Sequence, residues 1–87
     1  MSYHIDISPH ALKALSDLKR GQPAFALRIS NAIDELKDNP FSGKKLMGPL
    51  SDFRSLRVGQ YRVIYSVIEK RLLIEIVKIA HRKDVYR

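Results

Sequence analysis

Phe53-Arg54-Ser55-Leu56-Arg57-Val58-Gly59-Gln60-Tyr61-Arg62-Val63-Ile64-Tyr65 is the stretch that decides the fold. Apolar and polar residues alternate on both sides of Gly59-Gln60, the pattern of two strands joined by a two-residue turn. Glycine at the first turn position suits a type II′ loop. Folded this way, Val58 faces Tyr61 and Arg57 faces Arg62 across an antiparallel pair. Like charges set directly opposite each other destabilise a sheet, so folding alone gives no reason for the arginine pair. A bound polyanion gives one.

Period-two alternation continues downstream. It predicts strands at about 53–58, 61–68 and 71–80, with tight turns at Gly59-Gln60 and Glu69-Lys70, making a meander. Upstream, Tyr3, Ile5 and Ile7 alternate in a short first strand. Ser8-Pro9 reads as a helix N-cap followed by proline at the first helical position. Ala11, Leu12, Leu15 and Leu18 form one apolar face of that helix, and Gly21 stops it. Pro23 opens a second helix whose Ala26, Ile29, Ile33 and Leu36 share a side, and Asn39-Pro40 closes it. Residues 40–52, with two prolines and two glycines, read as a structured loop that tucks Phe41, Leu46, Met47 and Leu50 against the core and leaves Lys44 and Lys45 at the surface. The expected fold is α+β over a single domain, residues 1–87: an N-terminal strand, a helical hairpin and a three-stranded antiparallel meander, with the helices on one face of the sheet.

Pairing through both turns sorts the side chains onto two faces. Leu56, Val58, Tyr61, Val63, Tyr65, Val67, Leu72, Ile74 and Ile76 fall under the helices. Ser55, Arg57, Arg62, Ile64, Ser66, Leu73, Glu75, Val77 and Ile79 fall on the open face. Glu75 is then opposite Ile64 and diagonal to Arg62, where it would neutralise the arginine pair in a surface ion network. Arg54 falls on the core side opposite Tyr65, at a frayed strand end or stacked on the tyrosine.

Charge is unevenly distributed along the chain. Residues 1–52 carry seven Lys/Arg against six Asp/Glu, and residues 53–87 carry nine against three. Such a basic half is an electrostatic footprint for nucleic acid or another polyanion. Cysteine is absent, which excludes a disulfide framework and a thiolate metal site. No His-Glu-x-x-His pair, calcium loop, phosphate-cradling glycine loop or serine nucleophile elbow occurs, so neither a metal nor a cofactor is expected. The longest unbroken apolar run, Ala24 to Leu27, is far too short to span a bilayer, and a cytoplasmic protein without membrane contact is expected.

The C-terminal stretch Ala80-His81-Arg82-Lys83-Asp84-Val85-Tyr86-Arg87 follows the last strand and is dense in polar chemistry. Its side chains are expected to curl over the open face beside Arg57 and Arg62. His81 is the acid–base candidate, because neighbouring cations lower a histidine pKa and favour a base role. An ordinary surface histidine is the competing reading.

Leu56-Arg57-Val58-Gly59-Gln60-Tyr61-Arg62-Val63-Ile64-Tyr65, followed by a strand ending in His81-Arg82-Lys83-Asp84-Val85-Tyr86, resembles the RelE branch of the RelE/ParE toxin superfamily across the whole chain. The resemblance implies the toxin of a type II toxin–antitoxin pair. Its RelE-type members enter the ribosomal A site and cut mRNA without a metal, by attack of a 2′-hydroxyl on the phosphate. Carried over by position, Arg62 matches the catalytic arginine of the Tyr-Arg-x-x-Tyr strand. Arg82 and Tyr86 match the C-terminal Arg-x-x-x-Tyr element. Arg57, assisted by Arg54, stands where RelE enzymes carry basic residues on the second strand, here as arginine rather than lysine. Arg57, Arg62, His81, Arg82 and Tyr86 are thus the catalytic candidates, with the general base open. Arg54, Lys44, Lys45, Lys83 and Arg87 are candidates for RNA and ribosome contacts. Implied partners are a RelB-type antitoxin, the ribosome and its mRNA, and operator DNA only through the antitoxin. Two other functions remain open: a ParE-like gyrase inhibitor, and a non-catalytic RNA- or ribosome-binding protein.

Overall fold

A computed structural model describes residues 2–84. The elements run β1 (His4–Ile7), α1 (Pro9–Gly21), α2 (Pro23–Glu35), β2 (Lys44–Lys45), β3 (Arg54–Val58), β4 (Tyr61–Ile68) and β5 (Leu73–His81). Short 3-10 turns at Gly48–Leu50 and Glu69–Arg71 precede β3 and β5. The strands form one five-stranded sheet in the order β1-β5-β4-β3-β2, with β1 parallel to β5 and every other pair antiparallel. The α+β architecture is therefore as expected, and the sheet gains a strand from the loop that follows the helices.

Both helices lie on one face of the sheet. Ala11, Leu15 and Leu18 of α1 and Ala26, Ile29 and Ile33 of α2 are buried, together with Leu36, against Val58, Val63, Tyr65, Ile74, Ile76 and Ile79. Fully burying an aliphatic side chain of this size contributes roughly 1.5–3 kcal/mol, so this seam is the main source of stability. Leu12, expected on the apolar face of α1, is 54% exposed. The face is narrower than four residues because Ala11, Leu15 and Leu18 already fill it. In the loop, Leu46 is half-buried, but Phe41, Met47 and Leu50 are exposed rather than tucked in. Pairing of Lys44 with Ser55 and of Lys45 with Arg54 draws the loop out along the sheet edge instead of down onto the core.

The β3–β4 hairpin has the expected register, with Val58 opposite Tyr61 and Arg57 opposite Arg62. Gly59 has φ +60°, and a Cβ there would meet the Phe25 ring at 2.8 Å. Both the turn and the packing of α2 thus demand glycine at this position. The β4–β5 connection is longer than a two-residue turn. It uses the 3-10 turn and a left-handed Leu72 (φ 51°), so Ile68 pairs with Leu73. A register slip of two residues preserves the sidedness of Ile74 and Ile76, whereas Leu72 leaves the strand.

A bulge between Ile64 and Tyr65 has the larger consequence: Tyr65 pairs with Ile76 but Ile64 pairs with Lys78, leaving Val77 as the extra residue. Ser8 holds it in place. Its backbone N–H donates to the Ile76 carbonyl at 2.9 Å and its hydroxyl donates to the Val77 carbonyl at 3.0 Å. The same oxygen caps α1 by accepting from the Ala11 N–H at 3.1 Å. One extra residue reverses which face each later side chain occupies. Ile79 therefore turns into the core, not onto the open face, and Lys78 and Ala80 take the open face. Glu75 lies opposite Ser66 and not Ile64, four residues along β4 from Arg62.

Candidate functional site

The sheet face away from the helices carries the cations. Arg57 and Arg62 stand abreast on adjacent strands, and Lys44 joins them from β2 through its pairing with Ser55. Arg62 is half-buried and donates from Nη1 to the Ser55 hydroxyl at 3.2 Å. Ser55 is itself buried. Arg57 is exposed and donates from Nε to the Gly59 carbonyl at 3.2 Å. Among the described residues, each guanidinium donates to a neutral oxygen, which leaves further N–H donors of its five for another acceptor.

Among the described residues, the ion pairs are Lys13–Asp17, Arg20–Asp17 and Lys37–Asp34, all in the helical half. The expected neutralisation by Glu75 does not occur, because the shifted register carries it away from Arg62. A cleft of about 220 Å³ opens beside Arg62, lined by Lys44, Lys45, Leu46, Met47 and Ser55. Around the free end of β3, Arg57 shares a second concavity with Arg28, Asn31 and Glu35. Arg28, whose guanidinium lies 5.2 Å from the Phe25 ring centroid, extends the cationic rim from α2. Sequence reasoning missed it because α2 read as a packing element. It missed Lys78 on the open face because the bulge was not visible; the Lys78 amine donates to the Asp84 carbonyl at 3.3 Å.

The structure brings Arg57, Arg62 and Lys44 together on one face; Lys45 borders the cleft beside Arg62 but pairs with Arg54, on the other side of the sheet. The structure does not bring His81 to that group. The bulge turns His81 to the helix side, where it pairs with Tyr61 and meets that ring edge-on at 5.5 Å. Its Nδ1 accepts the Lys83 N–H at 3.2 Å, which puts the ring proton on Nε2, 3.1 Å from the Gln60 side-chain oxygen. Both nitrogens are engaged, and the ring braces the β3–β4 turn from behind. Arg82 and Lys83 are exposed just beyond β5, and the Arg82 N–H donates to the Gln60 carbonyl at 2.8 Å. Arg82 thus leaves the sheet beside the turn that carries the arginine pair. Tyr86 and Arg87 lie outside the described residues.

Arg54 is opposite Tyr65, as expected, but it stacks on Phe41 (4.9 Å to the ring centroid) rather than on the tyrosine. Its Nη1 donates to the Gly43 carbonyl at 2.8 Å. The guanidinium is committed to the loop on the sheet side opposite the arginine pair. Tyr65 is completely buried. Burial pushes its hydroxyl pKa above the ordinary tyrosine value, opposed by the Gly43 N–H and the Arg54 charge.

The fold and site define a small α+β domain with cations gathered on the open face of its sheet. Residues 5–86 match the model of a family described as the ParE toxin of the type II toxin–antitoxin system. The toxin RelE of Mycobacterium tuberculosis is 33% identical over 86 residues, spanning 98% of this chain and 87% of that protein. The RelE–RelB complex of the archaeon Pyrococcus horikoshii gives a TM-score of 0.76 at 34% identity, covering 98% of this chain and 100% of that one. The toxin–antitoxin complex RelBE2 of M. tuberculosis gives 0.82 at 25% identity, covering 94% and 100%. The chain belongs to the RelE/ParE family of type II toxins. Among the described residues, no helix is long and apolar enough to cross a membrane.

Proposed function

We propose that this chain is a ribosome-dependent endoribonuclease of the RelE type that cuts mRNA in the A site and is restrained by a RelB-type antitoxin. The observation that carries the reading is the opposed Arg57–Arg62 pair, held by neutral oxygens and without a carboxylate partner among the described residues. A sheet keeps such a pair at a cost, and a phosphodiester backbone offsets it.

In the reaction, the 2′-oxygen attacks the adjacent phosphorus and the bond to the 5′-oxygen breaks. A cyclic phosphate remains on one fragment and a hydroxyl on the other. The 2′-proton leaves as the 5′-oxygen gains one, so protons balance. The five-coordinate phosphorus carries more negative charge than the ground state, and preorganised donors aimed at it are the largest contribution. Arg62, oriented by Ser55, and Arg57, oriented by the turn, match phosphate oxygens with planar forks. Lys44 and Lys45 neutralise the flanking backbone. Arg82 approaches from the end of β5 and stabilises the leaving oxygen. His81 braces Gln60 from the helix side and takes no direct part. This cation set supplies the charge a metal would otherwise supply, so activity is expected to survive chelation.

The family model's description as a ParE toxin favours a second reading, a gyrase-directed inhibitor. Expression from a tightly repressed promoter, with mRNA 5′ ends mapped by primer extension, separates the two. Translation-dependent cuts within codons support the endoribonuclease. Growth arrest with intact mRNA and a DNA-damage response moves the assignment to gyrase.

A further inference from the structure

We propose that Tyr65 is a positioning residue that, from inside the core, fixes the lysine strand β2 beside Arg62. This rests on the reading of the cationic face as an RNA-binding surface.

The Tyr65 hydroxyl ends a side chain with no exposed surface, yet it does not bond within its own sheet. It donates to the Pro40 carbonyl at 2.8 Å and accepts the Gly43 N–H at 2.9 Å. Both partners belong to the segment between α2 and β2. Gly43 fits because it lacks a side chain: a Cβ there would lie 2.6 Å from the tyrosine oxygen and 2.8 Å from its ring. On the other side of the same residue, Arg54 donates to the Gly43 carbonyl. One residue later the chain enters β2, where Lys44 and Lys45 pair with Ser55 and Arg54, and the Leu46 N–H closes onto the Phe53 carbonyl at 3.0 Å.

Two residues of strand cannot hold themselves. The buried phenol therefore sets where β2 starts, and β2 sets where Lys44 and Lys45 stand relative to Arg62. Removing the phenol oxygen leaves the Gly43 N–H and the Pro40 carbonyl without a protein partner, and they recover hydrogen bonds only by moving out to water. The burial that raises the hydroxyl pKa keeps its proton available for Pro40.

Tyr65→Phe keeps the ring and tests the oxygen alone. Residue-resolved amide exchange is expected to accelerate at Gly43, Lys44, Lys45 and Leu46 while β4 and β5 keep their protection. Affinity for a short single-stranded RNA is expected to fall about tenfold, as loss of one well-placed hydrogen bond's worth of preorganisation would cause. Lys44→Ala with Lys45→Ala is expected to fall comparably, and adding Tyr65→Phe to that background costs nothing further. Gly43→Ala, which pushes on the same contact from the loop side, is expected to reproduce the exchange pattern. Unchanged exchange at Gly43–Leu46 in both variants overturns the latch. An equal further loss of affinity in the lysine-free background overturns the positioning role, because Tyr65 then acts through the core alone. Absence of RNA affinity in the wild type overturns the positioning role in RNA binding, cleavage on programmed ribosomes decides the endoribonuclease reading separately, and the exchange data still decide whether the phenol holds the loop.

Discussion

The helical half and the open sheet face treat charge in opposite ways. On the helices, Asp17 sits between Lys13 and Arg20, and Asp34 sits beside Lys37, at the three- and four-residue spacings that make helix neighbours. Those pairs are solvated and local. Across the sheet, Arg57 and Arg62 are brought together by strand pairing from opposite sides of a turn, and the acidic residues on that face, Glu75 and its β1 neighbour Asp6, lie away from them. The first arrangement satisfies the chain itself. The second sets like charges abreast with no carboxylate partner among the described residues. A charge cluster is therefore informative when the fold, and not sequence proximity, assembles it.

The contrast breaks most severely if the platform beneath it is removed. Ile74 is wholly buried in the seam between sheet and helices. Ile74→Ala should cost about 2–5 kcal/mol of unfolding free energy, read by urea titration, and should lower every activity together. Ser8→Ala should cost roughly 1–2 kcal/mol, because one hydroxyl caps α1 and clamps the Val77 bulge. Its sharper readout is the β5 register: loosening there should disturb the His81–Tyr61 pairing in nuclear Overhauser contacts before it disturbs the β3–β4 hairpin.

Arg57→Thr tests the comparison from the opposite direction. Relieving the opposed charges should raise stability by about 0.2–1 kcal/mol while weakening RNA binding, a combination that no purely structural role for Arg57 produces. The smallest effect concerns pH. Tyr65 is neutral in the core with its pKa raised by burial, so the unfolded chain ionises there first. The stability this contributes is whole below about pH 10 and declines as pH rises toward the folded value. Alkaline melting curves should show that decline, and Tyr65→Phe should flatten it.

Much of this geometry was legible in the sequence, for local reasons. The β3–β4 hairpin is specified by alternation around Gly59-Gln60, and the helices by Ser8-Pro9, Pro23 and their apolar spacing. The bulge was not read, although a signal existed. Ile76-Val77-Lys78-Ile79 places two apolar residues side by side and then a lysine where strict alternation would bury it. Only the Ser8 contact to Val77, across 69 residues of chain, settles that conflict. That missed residue misplaced Ile79 and His81 together, while the longer β4–β5 connection, which slips the register by two residues, displaced Glu75. Strand β2 carries no pattern of its own; two lysines pair there because Tyr65 and Arg54 hold the preceding loop from inside the protein. The rim cation Arg28 was hidden because an arginine on the outside of a helix looks like any other.

The central claim is that the open-face arginines are kept for a polyanion and not for the fold. Arg62→Ala, assayed by mRNA cleavage on programmed ribosomes and by urea unfolding of the same preparation, tests it most directly. The account predicts a cleavage rate lower by about 100-fold or more with stability unchanged within roughly 0.5 kcal/mol. Cleavage at the wild-type rate, or a loss of activity matched by a loss of folding, would contradict it.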